Sequence, residues 1–300
     1  MNRYTVYGNL AERDTVVLVT TLAAKGLEFE LCEETSSLAL PLAARTGDDV
    51  GPYLRTPEGF VLSGLHGMLD WVEGASPSPA LLPDTPIRHT VARLLEDWLE
   101  LWLPRWPRRS WATLERLGLH IHKAGYLLGQ DPCRPDWILA AWLESDVLIH
   151  DHARQHLLRK APRLVSLGED LLEATAPGRG FGAGLGAGLG AGSADDVIPI
   201  SLLSILEEVA RDYHAYLELN HQAYKDGGDR VLLDLGLGRN PAPVSPVAES
   251  RRAEIGWRLS RLDRSIRRDV CQVLEPAGVW HALTLPPVLD EIDPRDPRNL

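Results

Sequence analysis

The sequence predicts a small α/β domain followed by an all-helical remainder. Before residue 76, short runs of alternating apolar and polar residues are interleaved with helical patterns. A stretch with four prolines, residues 74–86, then interrupts the periodicity. From residue 85 onward, apolar residues recur at helical spacing. These three observations indicate folded parts joined by a proline-rich connector.

A strand–helix–strand unit opens the chain. Residues 3–7 carry β-branched and aromatic side chains and precede a Gly-Asn turn, which is typical of a strand. A helix begins near Asp14 or Thr15, either of which can cap it, and ends at Gly26, where a positive φ is expected. Residues 28–32 alternate polar and apolar side chains, so a second strand is predicted there.

A hairpin and a second helix follow. Residues 33–51 are predicted to be irregular. Two strands at 52–56 and 60–62 flank the turn sequence Pro-Glu-Gly of residues 57–59, which predicts a β-hairpin. Ser63 is predicted to cap the next helix. The order β-α-β and then β-β-α is that of a small thioredoxin-like sheet with helices packed on it.

The remainder is predicted to be helical apart from two glycine-rich segments. Candidate helices cover residues 85–103, 110–128, 134–149, 151–160, 162–175, 199–226 and 246–274. Glycine at every second position from Gly180 to Gly192 predicts a flexible insert, because each glycine loses unusual backbone entropy on ordering. A glycine- and proline-rich loop is predicted from Gly227 to Pro246. The predicted domains are 1–76, 85–176, a flexible insert at 177–196 and a helical extension at 197–300.

The composition and net charge of the chain disfavour several classes of function. The chain has 31 basic and 42 acidic residues and a net charge of −11, which disfavours general binding to nucleic acids or anionic membranes. No apolar run approaches the roughly 18 residues that a membrane span needs. Cys32, Cys133 and Cys271 are few and far apart, which favours a reducing compartment over a disulfide framework. The amino terminus lacks the apolar core of a signal peptide, so a cytoplasmic location is expected.

Five local motifs follow one another in a family-like order. They are Gly51-Pro52-Tyr53-Leu54, Leu62-Ser63, Leu81-Leu82-Pro83, Cys133-Arg134-Pro135-Asp136 and Pro162-x-Leu164. Over residues 1 to about 175, their order and intervals resemble the glutathione S-transferase family. The resemblance implies a thioredoxin-like amino-terminal domain and a helical carboxy-terminal domain with a capping box at its Cys133 motif. Residues 177–300 extend beyond a typical member and resemble the helical extensions of some bacterial members.

The resemblance implies a glutathione site at one edge of the sheet. The backbone of Gly51, turned outward by a cis bond to Pro52, would pair with the cysteinyl residue of glutathione. Ser63 and the free N–H groups of its helix would bind the γ-glutamyl carboxylate. Leu62 stands where the family has an acid that complements the glutathione ammonium group, which implies binding weaker by about 1–3 kcal/mol. The alternative is that Ser63 only caps the helix.

Thiol activation is the second requirement, because the glutathione thiol is mostly protonated at neutral pH. The resemblance places the serine or cysteine of many bacterial members within Glu12-Arg13-Asp14, with Glu12 at the usual position, and the charge of Glu12 or Asp14 would raise the thiol pKa. Arg13 would stabilise a thiolate instead. Tyr7 is a third candidate, since other branches of the family use a phenol there; a tyrosine packed at a strand end is the equal alternative. Thr15 lies later in the helix and is a poorer candidate.

Two further clusters carry large or ligating side chains. Trp98, Trp102 and Trp106 repeat every four residues along one helix face. By the resemblance, Trp98 and Trp102 would border a hydrophobic pocket for the second substrate, although such stripes are typical of helix–helix cores. His152 and His156 lie one turn apart, but no glutamate follows His152 as a metalloprotease motif requires, so no metal site is predicted.

Two functional hypotheses follow. The first is a glutathione S-transferase-like enzyme that conjugates glutathione, a small-molecule thiol, to an apolar electrophile, with Tyr7 and Arg13 stabilising the thiolate. The second is a non-catalytic module that retains the fold for binding or assembly, because Glu12 and Leu62 depart from the family pattern. A homodimer is expected from the resemblance alone. Neither hypothesis includes a nucleic-acid or membrane partner.

Overall fold

The computed structural model describes residues 3–33, 36–105, 110–174, 195–234 and 238–288. These residues form two compact units, one within 1–84 and 114–193 and the other within 85–113 and 194–299. The run from Gly180 to Gly192, predicted to be flexible, lies outside the described residues. The division into four domains therefore stays a prediction.

The first unit contains a four-stranded mixed sheet. Its strands are β1 (Tyr4–Tyr7), β2 (Phe29–Cys32), β3 (Tyr53–Arg55) and β4 (Val61–Leu62), in the spatial order β2-β1-β3-β4. β1 runs parallel to β2 and antiparallel to β3, and β3 pairs antiparallel with β4. All four strands lie where the sequence predicts them. The turn between β3 and β4 contains Gly59 at a φ of 93°, which glycine adopts without strain.

Three helices connect or follow these strands. They are α1 (Arg13–Ala24), α2 (Ser36–Thr46) and α3 (Leu65–Ala75). α1 is followed by Gly26 at a φ of 66°, as predicted. The prediction of an irregular segment at 33–51 is wrong, because α2 occupies most of it. Pro41 lies inside α2 and lacks the N–H of a helical residue, so it obscures the helical pattern.

Five helices follow in the chain, close to their predicted positions. They are α4 (Pro86–Asp97), α5 (Ser110–Ala124), α6 (Arg134–Trp142), α7 (Asp151–Lys160) and α8 (Pro162–Ala174). α4 belongs to the second unit, whereas α6, α7 and α8 belong to the first. Within the first unit, α6 packs against α1 and α8. π-helical turns extend α4 over Trp98–Trp102 and α6 over Leu143–Val147.

Five further helices and a hairpin belong to the second unit. The helices are α9 (Ile200–Val209), α10 (Ala215–Lys225), α11 (Pro246–Arg261), α12 (Arg264–Leu274) and α13 (His281–Thr284). A π-helical turn, Ala210–His214, joins α9 to α10. The antiparallel strands β5 (Arg230–Asp234) and β6 (Arg239–Pro243) lie where the sequence predicts a loop. That prediction is wrong, and so is the single helix predicted over 246–274.

Local features of the chain explain why a loop is predicted in place of β5 and β6 and one helix in place of α11 and α12. Val231 and Leu233 are buried while Leu232 between them is exposed, a two-residue alternation that the surrounding glycines and prolines obscure. Pro241 lies within β6, which is tolerated because a two-stranded sheet has only edge strands. Leu262 ends α11 with a ψ of 145°, so the chain leaves the helical conformation before α12 begins.

Each unit has an apolar core of its own. In the first unit, Leu18 of α1, Leu54 of β3 and Leu69 of α3 are fully buried. In the second unit, Leu206 of α9 and Leu259 of α11 are buried in the same way. Burial of such side chains supplies most of the stabilising free energy of each unit. No helix in the described part of the chain is long and apolar enough to cross a bilayer.

Candidate functional site

Gly8, Thr15 and Pro52 meet at the carboxyl end of β1. The peptide bond between Gly51 and Pro52 is cis. Continuing the register of β1 and β3 by one residue places Gly8 opposite Pro52. A Cβ atom added to Gly8 would lie 3.1 Å from the Pro52 Cβ and would collide with the Thr15 hydroxyl. Glycine at this position therefore allows the cis-proline segment to approach the start of α1.

The first turn of α1 lies beside this contact. Glu12 is the N-cap residue, so the prediction that Asp14 or Thr15 caps the helix is wrong, and its side chain makes no capping hydrogen bond. Its Oε2 atom instead accepts a long hydrogen bond, 3.5 Å, from the hydroxyl of the fully buried Thr15. The first backbone N–H groups of α1 thus have no side-chain cap, and a carboxylate stands at their positive end.

α3 begins shortly after β4, the strand that pairs with β3. Continuing the register of the hairpin, in which Leu54 pairs with Leu62, places Ser63 opposite Tyr53. The prediction that Ser63 caps α3 is wrong, because Gly64, at a φ of 75°, is the N-cap residue and no side chain caps the helix. Gly64 has no side chain that could cap this first turn, and Ser63 lies immediately before it. Leu62 is half-buried and offers no charge.

Tyr7 and Arg13 are both half-buried, but their surroundings differ. Tyr7 is the last residue of β1, where it pairs with Cys32 of β2 and Tyr53 of β3. Arg13 donates from Nε to Asp14 Oδ1 at 2.9 Å. This ion pair offsets part of the guanidinium charge and so weakens its field at any thiolate nearby. The roles of Tyr7 and Arg13 at a thiol stay predictions.

Trp98 and Trp102 lie in the core of the second unit. Their exposed fractions are 2% and 4%. The Trp102 ring stacks on Tyr216 at a centroid distance of 5.1 Å and packs at 5.7 Å against Tyr213. Such contacts are those of aromatic side chains between helices, and a role in a substrate pocket stays a prediction. Trp106 lies outside the described residues.

The start of α6 has the capping box that the Cys133 motif predicts. Asp136 Oδ2 accepts hydrogen bonds from the Cys133 N–H at 2.9 Å and from Cys133 Sγ at 3.1 Å. Its Oδ1 atom accepts a hydrogen bond from the Leu127 N–H at 2.9 Å. Burial raises the pKa of Asp136 to about 6, although these hydrogen bonds oppose the shift.

The first unit has both features that the resemblance implies: the small mixed sheet of a thioredoxin-like domain, in the order β2-β1-β3-β4, and the buried capping box at the start of α6. The chain has the fold of the glutathione S-transferases.

Solved structures match this chain in three dimensions. A glutathione S-transferase from Rhodospirillum rubrum matches with a TM-score of 0.49 and 17% identity, covering 58% of this chain and 89% of its own. A glutathione S-transferase from Methylobacterium radiotolerans, in complex with glutathione sulfonate, matches with a TM-score of 0.48 and 20% identity, covering 61% and 95%. The Tau class glutathione S-transferase from mango, Mangifera indica, matches with a TM-score of 0.49 and 16% identity, covering 56% and 88%. No family model and no curated protein matches the sequence.

Sequence reasoning misses two residues at this edge of the glutathione S-transferase fold. Gly8 reads as part of an ordinary turn, yet it is the point at which α1 and the cis-proline segment come together. Thr15 reads as the poorer hydroxyl candidate, yet it is the buried hydroxyl beside that contact. The spacing contains a signal for Thr15, since residues three apart share a helix face and Glu12 precedes it by three.

Proposed function

We propose that the chain binds glutathione and conjugates its thiol to an apolar electrophile. The observation that carries the proposal is the meeting of Gly8, Thr15 and Pro52 at the carboxyl end of β1. This edge offers an extended tripeptide two kinds of partner, backbone groups at a strand end and N–H groups at the starts of α1 and α3. Glutathione has the matching chemistry, because it is extended, peptidic and anionic.

Each part of glutathione has a proposed partner. The backbone at Gly51 pairs with the cysteinyl residue in the manner of an added strand. Ser63 and the amino terminus of α3 bind the γ-glutamyl carboxylate, since a helix amino terminus carries partial positive charge. Leu62 gives the ammonium group no carboxylate. We therefore expect an affinity about tenfold lower than that of a site with an acid there.

Conjugation itself needs a thiolate. Its sulfur forms a carbon–sulfur bond with the electrophile, the leaving group departs with the electrons of its bond, and the thiol proton passes to solvent. Tyr7 is the proposed donor of a hydrogen bond to this sulfur, because it ends β1 next to Gly8. Arg13 adds positive charge that its pairing with Asp14 reduces.

Calorimetric titration of the full chain with glutathione tests the binding step. Ser63→Ala is expected to weaken glutathione binding about tenfold, because one hydrogen bond to a charged group is lost. Ser76→Ala, which removes a half-buried hydroxyl elsewhere in the first unit, is expected to change nothing. Tyr7→Phe is expected to lower the rate of conjugation to dinitrochlorobenzene while leaving the affinity unchanged. An absence of glutathione binding by the wild type would contradict the proposal.

Glu12 favours a second candidate, a non-catalytic binding or assembly module. Its carboxylate at the start of α1 would repel a thiolate and raise the pKa of a bound thiol. Glu12→Ser is therefore expected to raise the conjugation rate at neutral pH by about tenfold per pKa unit removed. Serine is also a preferred N-cap residue, so the free energy of unfolding is expected to rise by about 0.5–1 kcal/mol.

The pH profile of the conjugation rate distinguishes the two candidates. For the enzyme, Glu12→Ser shifts the rising limb of the profile to lower pH, whereas Glu33→Ser, at an exposed glutamate that follows β2, leaves it in place. If Glu12→Ser binds glutathione as tightly as the wild type but remains inactive, the non-catalytic module is the better account.

The compartment and the assembly of the chain are also proposals. Cys32, Cys133 and Cys271 form no disulfide, which is compatible with the reducing cytoplasm proposed as the compartment. A homodimer remains the proposed assembly, on the resemblance alone.

A further inference from the structure

The end of α11 and the start of α12 carry an unusual concentration of positive charge. The chain as a whole has a net charge of −11, yet residues 258–268 contain five arginines, no lysine and one acid, Asp263. All five arginine side chains are exposed. They are Arg258, Arg261, Arg264, Arg267 and Arg268, and they are called the arginine patch below.

An exposed tryptophan adjoins the arginine patch. Trp257 is 56% exposed, and the Arg261 guanidinium lies over its ring at 4.5 Å from the centroid. Tryptophan and arginine are the residue types that contribute most to binding at the centres of protein interfaces, and lysine is depleted there. The composition of this surface is therefore that of an interface, and an exposed ring of this size is costly to leave in water.

The stability of the helices accounts for only part of this charge. Arg258 and Arg261 lie in the last turn of α11, where cations complement the helix dipole. Arg264, Arg267 and Arg268 lie instead in the first five residues of α12, where the dipole is positive and cations are unfavourable. No acidic side chain occurs in that first turn, and Asp263 makes no capping hydrogen bond. These three arginines therefore oppose the local helix preference.

Carboxylates are the groups that arginines of this region already bind. Arg258 donates from Nη2 to Glu254 Oε1 at 2.8 Å, and Arg251 lies 2.6 Å from Glu100 Oε2. The planar guanidinium pairs with a carboxylate through two parallel hydrogen bonds, which gives both affinity and geometry. A long polyanion is disfavoured, because the net negative charge of the chain repels it over a Debye length of about 8 Å. A short acidic segment avoids this repulsion, because it contacts the arginine patch without extending over the negatively charged remainder of the chain.

We propose that the arginine patch and Trp257 form a docking surface for an acidic segment of a partner protein. Carboxylates of that segment pair with the guanidinium groups along α11 and α12, and one apolar side chain of it packs on the Trp257 ring. The surface lies wholly within the second unit. It is independent of the proposed glutathione site, so the two proposals can fail separately.

Fluorescence anisotropy of the full chain with a labelled peptide tests this surface. The peptide carries glutamate at every third or fourth position and one central phenylalanine. R264E/R267E/R268E is expected to weaken peptide binding at least about tenfold. The matched control R55E/R159E/R230E makes the same change in net charge at exposed arginines elsewhere and is expected to bind within about twofold of the wild type. Equal weakening by the two triple variants would overturn the proposal.

Two further measurements separate docking from other roles of the same residues. Trp257→Ala is expected to weaken peptide binding about fivefold, and no change would overturn the apolar part of the proposal. The melting temperature of R264E/R268E, which keeps the Arg267 guanidinium over the Trp280 ring, is expected to be no lower than that of the wild type, because glutamate suits the first turn of a helix. A lower melting temperature would assign the arginines to folding. Tighter binding of a single-stranded oligonucleotide or of phosphatidylserine vesicles than of the peptide would also overturn the proposal.

Discussion

Replacing Arg252 by methionine is expected to lower the free energy of unfolding by about 3–5 kcal/mol. The guanidinium is buried in the second unit and donates to the two carboxylate oxygens of Glu249 at 2.6 and 3.0 Å. It also donates to the carbonyls of Ala282 and Leu285, at 3.0 and 2.9 Å, which ties α11 to the segment around α13. Methionine fills a similar volume but leaves the buried Glu249 carboxylate without its guanidinium partner, and His221 Nδ1 at 2.9 Å is then its remaining side-chain contact.

Chemical denaturation measures this effect, with two variants as controls. Arg258→Met removes an exposed arginine that pairs with Glu254 one turn away, and we expect a change below about 0.5 kcal/mol. The double variant R252M/E249L removes both buried charges and is expected to recover part of the loss. A loss for Arg252→Met as small as that for Arg258→Met would show that the buried pair contributes little.

The second large effect is expected at Asp136, which holds the start of α6. Asp136→Ala removes the acceptor of two buried backbone N–H groups, those of Cys133 and Leu127, and we expect a loss of about 3 kcal/mol. Urea denaturation followed by circular dichroism measures it. Asp131 is the matched control, because it lies in the same loop and makes no hydrogen bond that the structure describes. Asp131→Ala is expected to change the free energy of unfolding by less than about 0.5 kcal/mol.

Asp136 also makes stability depend on pH. Burial raises the pKa of Asp136 to about 6 in the folded chain, whereas an unfolded aspartate titrates near about 3.9. Its contribution to stability is therefore complete below the unfolded pKa and is lost as the pH rises through about 6. The difference in unfolding free energy between the wild type and Asp136→Ala is expected to be larger at pH 5 than at pH 8, by roughly 1.4 kcal/mol. Equal differences would contradict the raised pKa.

Sequence periodicity predicts the elements whose signals are local. Gly26 and Gly59 mark the end of α1 and the turn of the first hairpin, because both positions need a positive φ. The Cys133 motif predicts the capping box for a similar reason, since the two partners are three residues apart. α2 is missed because Pro41 contradicts the helical pattern around it, and packing overrides that preference.

The candidate site likewise combines a feature that the sequence predicts with contacts that only the structure shows. The cis bond at Gly51–Pro52 is expected from a short motif, and the structure has it. The meeting of Gly8, Thr15 and Pro52 is not visible in the sequence, because residues more than 35 positions apart become neighbours only through the pairing of β1 with β3. The cap of α3 shifts from Ser63 to Gly64 for a related reason, since the backbone leaves β4 in a conformation that glycine adopts.

The sequence by itself determined the order of the strands and helices in the first unit apart from α2, the turns after α1 and between β3 and β4, and the capping box of α6. Tertiary structure decided which hydroxyl lies beside Pro52, that β5 pairs with β6, and that Arg252 and Glu249 are buried together. The physical reason is the range of each interaction. Dihedral preferences and side-chain spacing act over two to four residues, whereas strand register and burial depend on which distant segments pack together.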